Sequence, residues 1–336
     1  MSHPQTYKAY AFTRKDGNLE KVTLQWKDPK ENQVVIKVLA CGVCHSDAGV
    51  KGARFGTLPR VPGHEIIGDI VALGPGEAHF KIGQRVGGGW HGGHCGTCQP
   101  CRTGEYQTCE NQAINGVTQD GGYAEYATLR TEALVSIPKD MDPVQAAPLL
   151  CAGVTTFNSL RAMDVRPGDI VAVQGIGGLG HLALQFSKAM GYRTVALSSS
   201  PAKKEMAHHL GATDYIDGSK VDQAQALLDL GGAKVIMVTA PNSEVIQSLM
   251  GGLCVGGQLL ILALPEEPAT VSLVPMITKR LSIIGWPSGH AKDSEDTVNF
   301  ARLAGVRTMI EEYPLDKAQE AFDHLPKARF RAVLVP

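Results

Sequence analysis

At 336 residues the chain exceeds what one hydrophobic core usually organises, so two domains are expected. Apolar residues make up 43% and charged residues 19%, with 32 basic against 33 acidic side chains. That balance describes a soluble globular protein and speaks against nucleic acid or an anionic membrane as partner.

From the amino terminus, MSHPQTYKAYAF lacks the basic and apolar regions of a secretory signal, and a cytosolic protein is expected. In that reducing compartment clustered cysteines are metal ligands more often than disulfide partners. Residues up to about 150 are dense in glycine, with short alternating runs, QVVIKVLA (33–40) and EIIGDIVALG (65–74), broken by turn residues; a β-rich, loop-heavy domain is predicted. At the edges of apolar segments lie Cys41 and Cys44 in CGVCHSD, His64 and Glu65 in VPGHE, and Cys151 in PLLCAGVTT. Two thiolates and one imidazole around zinc leave a fourth position for water or a substrate oxygen, the open arrangement of catalytic sites. Spacing alone suits buried apolar cysteines and a surface histidine equally well.

Cys95, Cys98, Cys101 and Cys109 follow C-x2-C-x2-C-x7-C, a spacing at which four thiolates close a tetrahedron around zinc. An iron–sulfur cluster is the competing use. The bacterial ferredoxin run, however, has a shorter last gap and a following proline, whereas Glu110 follows Cys109 here. Zinc saturated by four thiolates fixes a loop and cannot readily take substrate. His94 reads as a solvated neighbour of this loop, and Cys41 and Cys254 as small core residues.

From about 165 to 285 the texture becomes strand, glycine turn and amphipathic helix in repetition: DIVAVQG into GLGHLALQFSKAMG, YRTVALSSS into PAKKEMAHHLG, AKVIMVTA into SEVIQSLMGGL, then QLLILAL. The last belongs to LCVGGQLLILAL (253–264), the longest uncharged apolar run, which is too short to span a bilayer. Strands separated by such helices call for parallel pairing with right-handed crossovers, hence an α/β doubly wound sheet. Gly175, Gly177 and Gly180 form G-x-G-x-x-G directly after the first strand, with Gly178 and Leu179 inside the turn. The glycines serve a tight turn, approach to a pyrophosphate and close helix packing, and the helix amino terminus offers N–H groups to the phosphates.

NAD normally needs an acid about twenty residues further on, for the ribose 2′-hydroxyl. The second strand here ends in Ser198, Ser199 and Ser200, followed by Lys203 and Lys204, with no acid between Gly180 and Glu205. Hydroxyls and ammonium groups suit a 2′-phosphate, so NADP(H) is expected, with NAD(H) as the alternative. His208 and His209 read as surface residues of the next helix. After about 286 come one helical stretch, DSEDTVNFARLAG, and a last strand, RAVLVP, expected to rejoin the first domain.

In order and spacing, GVCHSD (42–47), GHE (63–65), GWHGGHCGTCQPC with Cys109, DGGYAEYA (120–127), LLCAGVTT, GIGGLG and FRAVLV resemble the zinc-dependent medium-chain alcohol dehydrogenases from end to end. The resemblance implies a GroES-like catalytic domain over 1–153 with a structural zinc lobe, a Rossmann domain over 154–287, and a return to the catalytic domain over 288–336, with the active site in the cleft between them. It implies two zincs per chain. Cys44, His64 and Cys151 would hold the catalytic one, with Glu65 as neighbouring or alternate ligand and Asp47 fixing the tautomer of His64; Cys95, Cys98, Cys101 and Cys109 would hold the other. His45 and Arg331 would meet the cofactor pyrophosphate, Ser46 would relay the alcohol proton, and Phe55, Trp90 and Trp286 would line the substrate pocket. The activity implied is hydride transfer between a small primary or aromatic alcohol, or its aldehyde, and NADP(H), in a homo-oligomer, dimer or tetramer. Many members carry histidine five residues after the first zinc cysteine, where this chain has Gly49. A metal-free quinone or enoyl reductase lacks both ligand sets, a non-catalytic relative has no use for Cys44 and Ser46, and a zinc-module nucleic-acid binder needs more cations than Arg102 around the cysteines.

Overall fold

QVVIKVLA becomes the longer strand Gln33–Gly42 in the computed structural model, which describes residues 3–265, 267–325 and 327–336. The chain forms two compact units: residues up to Val154 with Ser288–Arg302 and Arg307–Pro336, and Thr155–Pro287 with Leu303–Val306.

The first unit is built on a sheet with the strand order Ile310–Pro314, Arg331–Val335, Gln33–Gly42, Ile66–Leu73, Arg85–Gly88, Val135–Ser136; Tyr126–Arg130 also pairs with Gln33–Gly42. The first two of these strands run parallel and the other pairs antiparallel. Gln33–Gly42 is flanked on both edges, and its Val34, Ile36, Ala40 and Cys41 are fully buried in the core. Two register shifts against Ile66–Leu73, between Val35 and Ile36 and between Val38 and Ala40, bend the pair. Past the bend Cys41 still faces Ile66, and the Gly42 amide donates to the Glu65 carbonyl at 3.0 Å. The sheet thereby lays CGVC beside GHE.

The second unit carries a six-stranded, wholly parallel sheet in the order Asp214–Asp217, Arg193–Ser198, Ile170–Gln174, Ala233–Val238, Leu253–Ile261, Ser282–Gly285. Helices Gly180–Ala189, Lys204–His209, Gln223–Asp229, Ser243–Met250 and Leu273–Lys279 make the crossovers. The inner strands read as continuous apolar runs because both faces are covered: Val171, Ala172, Val173, Val195, Ala196, Leu197 and Val235 to Val238 are all fully buried. The two edge strands, DYID and SIIG, carry no comparable signal. Each has four residues and is mostly half-exposed. Cys254 departs from the core position expected of it. It is half-exposed beside a register shift in the Ala233–Val238/Leu253–Ile261 pair, and its thiol turns to the Val255 carbonyl. Strand order reverses between Ile170–Gln174 and Ala233–Val238, the crevice in which doubly wound sheets bind ligands at their carboxyl ends.

Candidate metal and nucleotide sites

Cys44 lies just past the end of Gln33–Gly42, and His64 and Glu65 just before Ile66–Leu73, so the bent strand pair sets their separation. Cys151 follows the short 3-10 turn Ala147–Leu150, whose Leu149 and Leu150 are anchored in the core. The ligand atoms of Cys44, His64, Glu65 and Cys151 lie within 4.8 Å of one another, and the two sulfurs are 3.8 Å apart. His64 and Glu65 are fully buried, and among the described residues His64 Nε2 and Glu65 Oε2 have no hydrogen-bond partner, while Glu65 Oε1 has only its ion pair with Arg331. Buried polar groups are almost always satisfied, so convergent orphans of this kind fit a ligand held among them.

Charge favours a cation. Cys44 is drawn well below the usual thiol value by its hydrogen bond with Cys151, helped by the Arg331 guanidinium, and the same bond holds Cys151 well above it. Burial would lower His64, but the Cys44 thiolate and Asp47 outweigh it and raise the imidazole well above its ordinary value. Burial pushes the Glu65 carboxyl up to about 7, although Arg331 pulls the other way. Thiolate and carboxylate charge buried this closely is what a divalent ion would balance, and zinc binding to such ligands releases their protons. Donor set, enclosure and orphaned atoms all fit zinc.

Asp47 sits beneath this cluster, fully buried at the start of helix Asp47–Lys51. Its Oδ1 is 3.4 Å from His64 Nδ1, and its Oδ2 accepts from the Cys44 amide at 3.0 Å and the Tyr123 hydroxyl at 2.9 Å. Arg331, buried on strand Arg331–Val335, places Nη2 3.3 Å from Glu65 Oε1. Ser46 is half-buried with Oγ 3.7 Å from Cys44 Sγ, and His45 beside it is exposed. The Trp90 ring meets His64 edge-on at 4.9 Å, and Phe55 meets Trp90 edge-on at 6.4 Å. Phe55 also lies over Gly49, where a Cβ would collide with its ring. Trp286 belongs to the second unit, directly after strand Ser282–Gly285.

The second cluster is local. Cys95, Cys98, Cys101 and Cys109 also bring their sulfurs within 4.8 Å of one another, and the chain curls amides onto them: Cys98 N–H to Cys95 Sγ at 3.4 Å, Cys95 N–H to Cys109 Sγ at 3.4 Å, Asn111 N–H to Cys109 Sγ at 3.3 Å. The Thr97 hydroxyl and the Thr97 and Cys98 amides draw Cys95 down to about 5, while burial and the neighbouring thiols push Cys101 up to about 12. Four thiols this close cannot all ionise without a cation between them. His94 is not the solvated neighbour expected. Its ring is stacked between those of His91 and Tyr106, at 5.2 and 4.2 Å, and its Nδ1 is 3.2 Å from His91 Nε2. The loop is thus pinned by an aromatic ladder that its cysteine spacing does not announce.

In the second unit the glycine turn is closed from beneath. A Cβ on Gly175 would stand 2.9 Å from Ala240 Cβ, and one on Gly180 would collide with the Gly175 carbonyl. A Cβ on Gly177 would meet nothing within 4 Å, so no protein atom demands glycine there, and the open space fits the close backbone approach that a pyrophosphate needs. Gly178 and Leu179 lead directly into helix Gly180–Ala189, whose amino terminus no side chain caps. Lys203 reaches back to this turn, its ammonium donating to the Ile176 carbonyl at 2.7 Å. Ser198 ends its strand, Ser199 is exposed, and the Ser200 carbonyl accepts from the Tyr215 hydroxyl. Asp217, which the reading of the second strand alone misses, stands opposite Ser198 on the neighbouring strand, its Oδ1 accepting from the Ser219 amide and hydroxyl.

Residues 30–139 match the alcohol dehydrogenase GroES-like domain model and residues 178–303 the zinc-binding dehydrogenase model. Alcohol dehydrogenase patD of Penicillium expansum is 49% identical over 98% of both chains. A solved cinnamyl alcohol dehydrogenase of Sorghum bicolor superposes with a TM-score of 0.88 at 30% identity, over 98% of this chain and 97% of that one. The CAD of Helicobacter pylori, solved in complex with NADP(H), gives 0.88 at 27% identity over 98% of each chain.

Proposed function

Because the chain belongs to the zinc-dependent medium-chain alcohol dehydrogenase family, and is therefore an oxidoreductase, we propose that it interconverts primary or aromatic alcohols and their aldehydes with NADP(H), using one zinc at Cys44, His64 and Cys151 and a second at the four-cysteine loop. The observation that carries the metal assignment is the buried, unpartnered Nε2 of His64 facing two thiols and a carboxyl. When bound, zinc would bring an alcohol hydroxyl's pKa towards neutrality or polarise a carbonyl, and the dinucleotide would accept or return hydride.

The chain's own residues do the rest. Asp47 holds the His64 ring so that Nε2 faces the ligand position. Arg331 keeps Glu65 beside the cluster, and His45 and Arg331 would supply donors to a bound pyrophosphate. Ser46, beside Cys44, takes up or returns the hydroxyl proton. With no side chain at position 49 and Phe55 covering it, the proton's outward step falls to His45 or water. Trp90 and Phe55 form an apolar aromatic wall that suits aromatic and allylic chains over polyols.

Cofactor preference rests on Ser198 to Ser200 and Lys203, which suit a 2′-phosphate, and the NADP(H) bound by the Helicobacter pylori neighbour agrees. A second reading, NAD(H), is favoured by Asp217 opposite Ser198. Cytosolic work in a homo-oligomer is part of the proposal. Among the described residues no helix is long and apolar enough to cross a membrane, and the exposed Leu273, Val274 and Ile277 suit an interface. The deciding experiment assays zinc-replete protein on aliphatic, allylic and aromatic aldehydes with NADPH and NADH. Higher kcat/KM with NADPH, reversed about tenfold or more by Ser198→Asp, is expected; a native preference for NADH sinks the NADP assignment.

A further inference from the structure

Tyr123 is one of the largest fully buried side chains in the first unit, yet it carries a polar group. Its hydroxyl donates to Asp47 Oδ2 at 2.9 Å, deep beneath the Cys44–His64–Cys151 cluster. The backbone brings the two together. Segment 121–123 is laid along 61–63 by the Gly121 amide on the Val61 carbonyl at 2.8 Å, the Gly122 amide on the Gly63 carbonyl at 3.0 Å and the Tyr123 amide on the Pro62 carbonyl at 3.1 Å. Gly63, with a φ of +101°, makes room: a Cβ there would stand 2.5 Å from the Tyr123 ring. The residue before His64 is thus a glycine on which the tyrosine ring lies.

Asp47 has two oxygens with different duties. Oδ2 takes two donors, the Cys44 amide at 3.0 Å and Tyr123, while Oδ1 has no hydrogen-bond partner in the structure and lies 3.4 Å from His64 Nδ1. Two donors on one oxygen fix both the position and the plane of a carboxylate. The amide alone would leave the group free to turn about its Cα–Cβ and Cβ–Cγ bonds. Burial, and then the Asp47 charge, hold the phenol well above its ordinary pKa, so it stays a donor.

We propose that Tyr123 is a positioning residue for the metal centre: by clamping Asp47 Oδ2 it aims Oδ1 at His64 Nδ1, which fixes the ring with Nε2 turned to the ligand position. The inference rests on the reading of Cys44, His64 and Cys151 as a zinc site. Tyr123→Phe keeps the ring over Gly63 and removes only the hydroxyl. Outer-shell partners of ligating histidines are worth about 10- to 100-fold in metal affinity, and Tyr123 stands one bond further out, so a loss of about tenfold is expected.

The experiment titrates zinc-replete wild-type and Tyr123→Phe protein with a chelator and follows zinc per chain, the four-cysteine loop serving as internal reference. Cys44→Ser protein, titrated alongside, identifies the step that belongs to that loop. In Tyr123→Phe the step absent from Cys44→Ser should move to about tenfold lower chelator concentration while the loop's step stays in place. In an Asp47→Ala background the Tyr123→Phe shift should vanish, because the hydroxyl acts through that carboxylate. Unchanged chelation of both zincs in Tyr123→Phe overturns the inference. So does a parallel weakening of both, the mark of general loosening. Wild-type protein with a single zinc step overturns the underlying zinc assignment instead, and the two failures are distinct on the same titration.

Discussion

The two ligand clusters of the first unit use nearly the same atoms in opposite ways. Cys95, Cys98, Cys101 and Cys109 come from one short loop whose own amides and Thr97 donate to the sulfurs of Cys95 and Cys109. Cys44, His64, Glu65 and Cys151 come from three distant segments, and buried charged groups, Asp47 and Arg331, face them. A closed set of four thiolates leaves a metal no vacancy, whereas a set of two thiolates, one imidazole and a carboxyl that can step aside leaves one. On the proposed reading the local cluster holds a loop, and the cluster assembled by the sheet carries the chemistry.

The sharpest way to break this contrast is Cys44→Ser. Loss of several kcal/mol of charge stabilisation should lower kcat/KM by about a thousandfold or more, with NADPH binding by fluorescence titration unchanged; retained turnover would remove the reactive role from this cluster. Cys98→Ser should do the reverse, lowering the melting temperature by roughly 5–10 °C while kcat at 25 °C changes less than about threefold. If activity fell first, the loop would be more than a clasp.

Next comes the ladder that holds the loop. Burial lowers the His91 pKa to about 3, with the charges of His94 and His290 adding to the effect. The unfolded chain, whose histidine titrates near 6.5, takes up a proton between pH 6.5 and 3 that the folded form refuses. Stability should therefore fall as pH drops through that window, by about 2 kcal/mol between pH 6.5 and 5. His91→Asn in denaturant melts at the two pH values should remove about that much of the slope. The mildest change is Gly49→Ala. The added methyl group must push the Phe55 ring aside, which should alter the ratio of kcat/KM for aromatic over small aldehydes by about tenfold or less. In a Phe55→Ala background the same substitution should leave that ratio alone.

Legibility followed the same divide. The cysteine spacing and GIGGLG are signals written within a few residues, because the geometry they demand is local. The grouping of Cys44 with His64 and Cys151 is not readable from spacing, since it depends on two bulged positions that carry Cys41 opposite Ile66; it came only through the family likeness of the motifs. The inner parallel strands were plain as apolar runs, whereas DYID and SIIG, short and at the edges, were not. Tyr123 gave no sign in DGGYAEYA, because a hydroxyl aimed at a buried carboxylate looks in sequence like any tyrosine of a strand. The His94 ladder was silent for the same reason: stacking is a property of the folded loop.

Strand Arg331–Val335 brings Arg331 to Glu65 and pairs Leu334 with Cys41. It is translated after every other strand of that sheet and after the whole six-stranded unit. During synthesis Glu65 therefore meets its guanidinium only once the intervening six-stranded unit has been made, and that unit can already fold behind the amino-terminal stretch. The four-cysteine loop draws all its sulfurs from residues 95–109 and so from one continuous piece of chain. On the proposed two-zinc reading the two sites would be completed at different points of synthesis, the loop's by residue 109 and the other only after Cys151 and Arg331.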